Sequence, residues 1–327
     1  MLLAETMRYP AYGLIAATTA AFFWSISVVM YRRIGRIMPP VMLNMSKGLM
    51  AALVLTFVLA GQWAIRAINS DDGWPTIVPW SDTIPLWMVG LMALSGVIGI
   101  GLGDTLLFAG LNRMGARRIL LLFTINPVIT VLIAWAFMNE PLAWPQVIGV
   151  VLTCGGVAWV IAERNAKKSD GHVDALGVIY GILAATCQAT GVLISRYVFD
   201  RTDMSEVSSA WLRLLAGALF LFLCLPLDRL LKDPGGLDHH HPSHPSKAQA
   251  TTMFFVALLL GTVGGIWLMQ IAIKQSYRVG IASTLLSTSP LFVLPIAALL
   301  GEHISKRAVL GAFVTVGGIA ILYTFSV

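Results

Sequence analysis

The chain has 327 residues, 57% hydrophobic and 12% charged, with a formal net charge of +6 and a mean hydropathy of +0.80. A soluble domain carries roughly 25% charged residues to face water, so this composition excludes an ordinary soluble fold and points to lipid as the solvent. The basic residues lie scattered between apolar runs, which excludes a nucleic-acid surface and makes them topology signals instead.

The first residues, MLLAETMRYPAYG, lack the charged segment, apolar core and small-residue cleavage site of a secretory signal. The first apolar run is therefore expected to be retained as a span. Crossing the hydrocarbon core takes roughly 20 mostly apolar residues. Ten stretches meet that demand: 12–32, 40–60, 86–111, 117–138, 143–162, 175–197, 206–228, 252–274, 279–300 and 305–325. Continuous runs favour helices over barrel strands, because a helix satisfies its own backbone in lipid. The third stretch holds GVIGIGLG (Gly96 to Gly103), small residues that let neighbouring helices approach closely. Two longer connections are expected at 61–85 and 229–251. The first holds Trp63, Trp74 and Trp80, an interfacial signature, and the second holds HHHPSHPS (His239 to Ser246), which reads as solvated. Cys154, Cys187 and Cys224 fall in apolar runs without metal spacing and read as small, buried and reduced.

The chain repeats itself. Glu140, Gly149, Gly155 and Gly156 match Glu302, Gly311, Gly317 and Gly318 at one offset, and Pro127 matches Pro290 after a one-residue slip. Gly13, Ala20, Ala21 and Arg32 match Gly177, Ala184, Ala185 and Arg196; Lys47, Leu49, Ala52 and Leu53 match Arg213, Leu215, Ala218 and Leu219. Five spans per half is an odd number, so the halves must insert in opposite senses. The expectation is an all-α integral membrane protein of ten transmembrane helices in two inverted five-helix repeats, residues 1–165 and 174–327. Such architectures place a solute site near the midplane between the halves.

Trp24, the basic residue in the second span of each half, the stretch GDTLLFAGL (Gly103 to Leu111) and the paired Pro, Glu, Gly and Gly-Gly pattern resemble the EamA family of the drug/metabolite transporter superfamily. The resemblance spans roughly residues 12 to 325. It implies ten helices and movement of metabolites, amino acids or xenobiotics, often as efflux, without fixing the substrate. Two departures stand out: Gln188 occupies the position corresponding to Trp24, and nothing in the second half clearly mirrors Asp104.

An ionisable group inside a span is costly unless paired or facing water, so each is a candidate functional residue. Lys47 and Arg213 read either as a cationic cavity lining for a carboxylate or phosphate, or as fixed ion pairs. Arg213 is the better candidate for recognition, because a guanidinium grips a carboxylate with two parallel donors. Asp104, the acidic residue well inside a span, reads as a proton-coupling group or as a static counter-charge. Trp24, Asn44, Gln188, Gln270, Asn126 and Ser289 complete the substrate-binding candidates. Glu140 and Glu302 read as structural caps where spans end, and Pro127 and Pro290 as residues that bend their helices. A metal site at His239 to His244 is not expected, since a Pro-interrupted loop preorganises ligands poorly. No nucleophile–base set or phosphate loop appears, so neither an enzyme nor a cofactor is expected.

The remaining expectations concern partners and placement: a small-molecule solute and the lipid bilayer, no nucleic acid, with a homodimer left open. Of the 22 basic residues, Lys47 and Arg213 lie within spans, fourteen fall in odd-numbered loops and six in the N-terminal segment and even-numbered loops. That bias favours a plasma (inner) membrane orientation with both termini outside. A transporter working by alternating access, exporting a small solute, is the leading reading. A flippase for a lipid-linked substrate is the main rival, with a membrane-embedded enzyme or a sensory protein behind it.

Overall fold

The computed structural model describes residues 9–69, 80, 83–138, 144–162, 174–224, 246–275, 285–299 and 306–324. Glu140, Glu302 and the histidine cluster lie outside the described residues. Among those described, the regular structure is helical throughout: α1 (Tyr9–Ile34), α2 (Pro40–Asn69), α3 (Leu86–Met114), α4 (Ala116–Phe123), α5 (Asn126–Met138), α6 (Trp144–Ala162), α7 (Ala175–Phe199), α8 (Glu206–Leu223), α9 (Lys247–Gln275), α10 (Ser289–Leu299) and α11 (Lys306–Thr324). Within these, α1, α2, α3, α7, α8 and α9 each contain a stretch long and apolar enough to cross a membrane. Large apolar side chains such as Leu53, Phe57, Phe222 and Phe313 stand exposed on their outer faces, as a lipid-solvated protein requires.

Helix starts follow local chemistry. Asp174 caps α7 by accepting from Gly177 N–H, Ser205 caps α8 by accepting from Ser208 N–H, and Ser246 with Gln249 forms a reciprocal capping box on α9. That box begins α9 at Lys247, five residues before the expected span, so residues 247–251 are helix and not loop. Likewise α2 runs on to Asn69, nine residues past its expected end. The segment AGQWAIRAIN has no proline to stop it, and its Ile68 stands 82% exposed. The seventh stretch stops earlier than expected, at Leu223 with Cys224 as C-cap. The cysteines are free but not buried: Cys154 is exposed and the other two are half-buried, Cys187 beside Gly103 of α3 and Cys224 at the C-cap of α8.

The expected fourth span is two helices. A turn at Thr124–Ile125 separates α4 from α5, and a matching turn at Ser287–Thr288 precedes α10. Pro127 and Pro290 are the second residues of α5 and α10, where a missing N–H leaves no intrahelical bond unmade. These prolines thus sit at helix starts rather than bending helices from within.

Helices pair across the two halves of the sequence. α1 packs on α9 and, correspondingly, α7 packs on α3; α2 packs on α8, and α6 on α11. The second arrangement repeats the first with the halves exchanged. Both α3 and α9, the corresponding helices of the two halves, contain a π-helical segment, Val97–Asp104 and Leu258–Gly264. π segments widen the backbone register locally and are frequent at functional sites.

Candidate functional site

The π segments flank a cavity in the middle of the bundle. Its wall is Ala20, Ala21 and Trp24 from α1; Ile100 and Asp104 from α3; and Leu120, Phe123, Thr124 and Asn126 around the α4–α5 turn. Gln188 and Val192 of α7, Gly261, Gly265, Ile266 and Met269 of α9, and Leu286, Ser287 and Ser289 beside the second turn complete it. Trp24 and Asp104 each lie ten residues from the C-terminal end of their helices, about 15 Å at 1.5 Å per residue, and so near mid-depth. The cavity leaves about 100 Å3 for the centres of water-sized bodies. One bound water needs roughly 10–15 Å3 by that measure, so the space suits a multi-atom solute. Beyond it along α1 and α3, Tyr31, Leu43, Phe108, Leu111 and Ile119 form a packed apolar cluster.

Behind the wall lies a polar network. Lys47 Nζ donates to Asp104 Oδ2 at 2.5 Å, with Lys47 fully buried and Asp104 6% exposed. Lys47 also stands 5.2 Å from the Phe108 ring centre and 6.0 Å from that of Trp24, so its charge meets two ring faces. Asn44 Nδ2 donates to the carbonyls of Ile100 and Gly101 and to Thr105 Oγ1, at 2.7, 3.1 and 2.8 Å. Those carbonyls belong to the π segment, so Asn44 serves acceptors in the irregular part of α3.

The second half has its own version. Arg213 Nη1 donates to Gln270 Oε1 at 2.7 Å, and Gln270 Nε2 donates to Ser209 Oγ. Lys47 and Asp104 are 57 residues apart in sequence, and so are Arg213 and Gln270. Gln270 is therefore the counterpart of Asp104, which the sequence reading had left without one. Tyr31 Oη and Thr262 Oγ1 meet at 2.7 Å and join α1 to the π segment of α9. Ser25 Oγ donates to Ser289 O at 2.9 Å and ties α1 to the α10 turn.

Of the residues singled out from sequence, Trp24, Asp104, Gln188, Asn126 and Ser289 line the cavity, while Lys47, Asn44, Arg213 and Gln270 are not part of its wall. The latter four are fully buried: Lys47 bonds the wall residue Asp104, Asn44 the backbone of α3 and Thr105, and Arg213 bonds Gln270, which in turn bonds Ser209. Sequence reasoning passed over Ser209, Tyr31, Thr262 and Met269. Gln270 carries a detectable signal, its 57-residue spacing from Arg213, whereas the position equivalent to Ser209 in the first half is Leu43, so Ser209, like Tyr31 and Thr262, carries none. Among the described residues no cluster of His, Cys, Asp and Glu has metal-binding geometry.

At one end of the bundle Arg113 Nε pairs with Asp174 Oδ2 at 2.8 Å, joining α3 to the start of α7. Partial burial disfavours the Asp174 carboxylate. The hydrogen bond from Arg113, the Gly177 N–H and the Arg113 charge outweigh it and hold the carboxyl below its ordinary value. At the other end Arg196 Nη1 donates to Ile273 O and Lys274 Nζ to Met204 O.

The EamA-like transporter family model matches this sequence twice, at residues 11–162 and 175–324. A probable terminal-alkyne amino-acid exporter of Streptantibioticus cattleyicolor is 27% identical, over 71% of this chain and 72% of that protein. An uncharacterized transporter of Archaeoglobus fulgidus is 25% identical, over 94% of this chain and 97% of its own length. One solved crystal structure shares the fold with a TM-score of 0.60 at 18% identity, over 97% of this chain and 98% of that one.

Proposed function

This chain belongs to the EamA-like transporter family, and from that premise we propose that it moves a small metabolite, amino acid or xenobiotic by alternating access between two inverted five-helix repeats. The observation that carries the reading is a mid-depth cavity bounded by corresponding helices of both halves, α1 with α7 and α3 with α9, each α3/α9 partner interrupted by a π segment. The pairing of α1 with α9 and α7 with α3 supports a two-fold relation between residues 1–165 and 174–327. Exchanging the conformations of two such halves moves the opening from one side of the membrane to the other. Export is the direction in keeping with the relative named as an exporter, and the charge bias supports an inner-membrane orientation with both termini outside.

Counterflow into proteoliposomes tests this. Vesicles are loaded with a metabolite pool and the trace accumulated from outside is read by mass. Gly265 lines the cavity, and a Cβ there meets only the Leu260 carbonyl at 3.4 Å, so the position accepts a side chain and Gly265→Leu puts bulk into the cavity. Wild-type counterflow that Gly265→Leu abolishes while the variant stays monodisperse supports transport through this cavity. Equal flux in both variants refutes the cavity as the route, and turnover limited to lipid-linked substrates favours the flippase.

A further inference from the structure

Three charged side chains are buried among the described residues: Lys47, Asp104 and Arg213. Lys47 and Asp104 neutralise one another. Arg213 does not share that arrangement. Where the first half places a carboxylate 57 residues beyond its basic residue, the second half places the neutral amide of Gln270. Among the described residues the site therefore carries one uncompensated positive charge, held fully inside the protein where unpaired charge is costly.

The same side chain has unused donors. Arg213 Nε and Nη2 are buried and make no hydrogen bond. Together they form the side edge of the guanidinium, whose parallel N–H groups match the two oxygens of a carboxylate. A Cβ built on Gly99 would lie 3.0 Å from Nη2, and one on Gly191 3.3 Å, so any side chain at either position would crowd the guanidinium. The cavity is next door: Ile100 and Val192 follow these glycines and line it, as do Met269, which precedes Gln270, and Gln188. The Gln188 Oε1 atom lies 3.3 Å from the same Gly99 Cβ position.

We propose that the Nε–Nη2 edge of Arg213 seats the carboxylate of the transported solute, reached from the cavity past Gln188, and that the preferred solute is a small monocarboxylate with an apolar tail. This deepens the transporter reading and rests on it for the word transported. The charge count selects a net monoanion, because one negative charge brings Lys47, Asp104, Arg213 and ligand to neutrality. A zwitterion would add its ammonium and restore the imbalance. The apolar tail follows from Ala20, Ala21, Ile266 and Leu286 on the wall.

The test compares four-carbon probes on the purified full chain in detergent: sodium butyrate, 2-aminobutyrate, butyramide and, at matched ionic strength, sodium chloride. Binding is read as a saturable rise in unfolding midpoint. Butyrate is expected to bind at least about tenfold more tightly than butyramide, with 2-aminobutyrate between them and chloride without saturable effect. Gln270→Glu is nearly isosteric, supplies the missing counter-charge inside the protein, and is expected to weaken butyrate about tenfold or more. Arg213→Met is expected to do the same; if it fails to fold, the Gln270→Glu and butyramide comparisons decide alone. Butyramide binding as well as butyrate, chloride reproducing the butyrate shift, 2-aminobutyrate binding more tightly than butyrate, or unchanged butyrate binding in Gln270→Glu each overturns the assignment. Butyrate counterflow in proteoliposomes separates the two readings. Flux of uncharged solutes alone, with no butyrate binding, sinks the carboxylate seat and leaves transport standing. Butyrate binding without flux of any probe sinks transport and leaves the seat.

Discussion

Lys47 and Asp104 meet at 2.5 Å in the middle of the bundle, 57 residues apart in sequence, with the carboxylate on the cavity wall and the ammonium wholly behind it. The pair ties α2 to α3 at the depth where the backbone of α3 is π-helical. Removing one partner strips the other of its direct ion pair inside the bundle, which costs about 3–5 kcal/mol for a buried pair, whereas removing both is often close to neutral. Lys47→Met is accordingly expected to lower the unfolding midpoint sharply in detergent, and Lys47→Met combined with Asp104→Leu to recover most of the loss. A double variant no more stable than the single one would show that the pair does more than cancel charge.

Asn44 serves the π segment directly. Its amide donates to Ile100 O, Gly101 O and Thr105 Oγ1, all within α3. Asn44→Leu leaves those acceptors in an apolar setting, at about 1–3 kcal/mol by the cost of an unsatisfied buried group. Faster amide exchange is expected across residues 97–105, with α8 unaffected. Exchange unchanged in that window would mean the π segment holds without Asn44.

Gly96 sits against the backbone of Arg213, and a Cβ there would collide with it. Gly96→Ala must push α3 from α8, an overpacking cost of about 1–3 kcal/mol. Gly90, in the same helix, has nothing within 4 Å of its Cβ position. Gly90→Ala is expected to be harmless or to stabilise by about 0.5–1 kcal/mol through helix propensity. Size-exclusion profiles and melting midpoints of the two variants should therefore diverge in opposite directions from wild type.

The Arg113–Asp174 pair makes a pH-dependent contribution. The Asp174 carboxyl titrates below its ordinary value of 3.8 in the folded protein. Its contribution is thus complete above that value and lost as pH falls through the lower native one. Both partners are partly exposed, which limits the pair to under about 1 kcal/mol. Asp174→Asn keeps the α7 cap and removes the charge. The gap in midpoint between wild type and Asp174→Asn should be constant from pH 7 to about 5 and close as pH falls below the ordinary carboxyl value of 3.8. A gap that widens with acid would assign the stabilisation elsewhere.

The sequence by itself determined a great deal because lipid is an exacting solvent. Apolar run length marked the helices, and the matching blocks from Gly13 with Gly177 to Gly156 with Gly318 marked the duplication. Lys47, Arg213 and Asp104 stood out because charge inside an apolar run is conspicuous and expensive. What the sequence did not contain is who meets whom. Pairing depends on how each helix is rotated about its axis and where it crosses its neighbours, and residues 57 apart carry no local trace of that geometry. Only the tertiary structure decided that Asp104 forms its ion pair with Lys47, that Gln270 occupies the equivalent place, and that Lys47 and Arg213 lie behind the cavity wall. The break at Thr124–Ile125 and the π segments were equally hidden: α4, α5 and α3 read as continuous apolar runs, and the backbone register inside such a run is set by the helices packed against it.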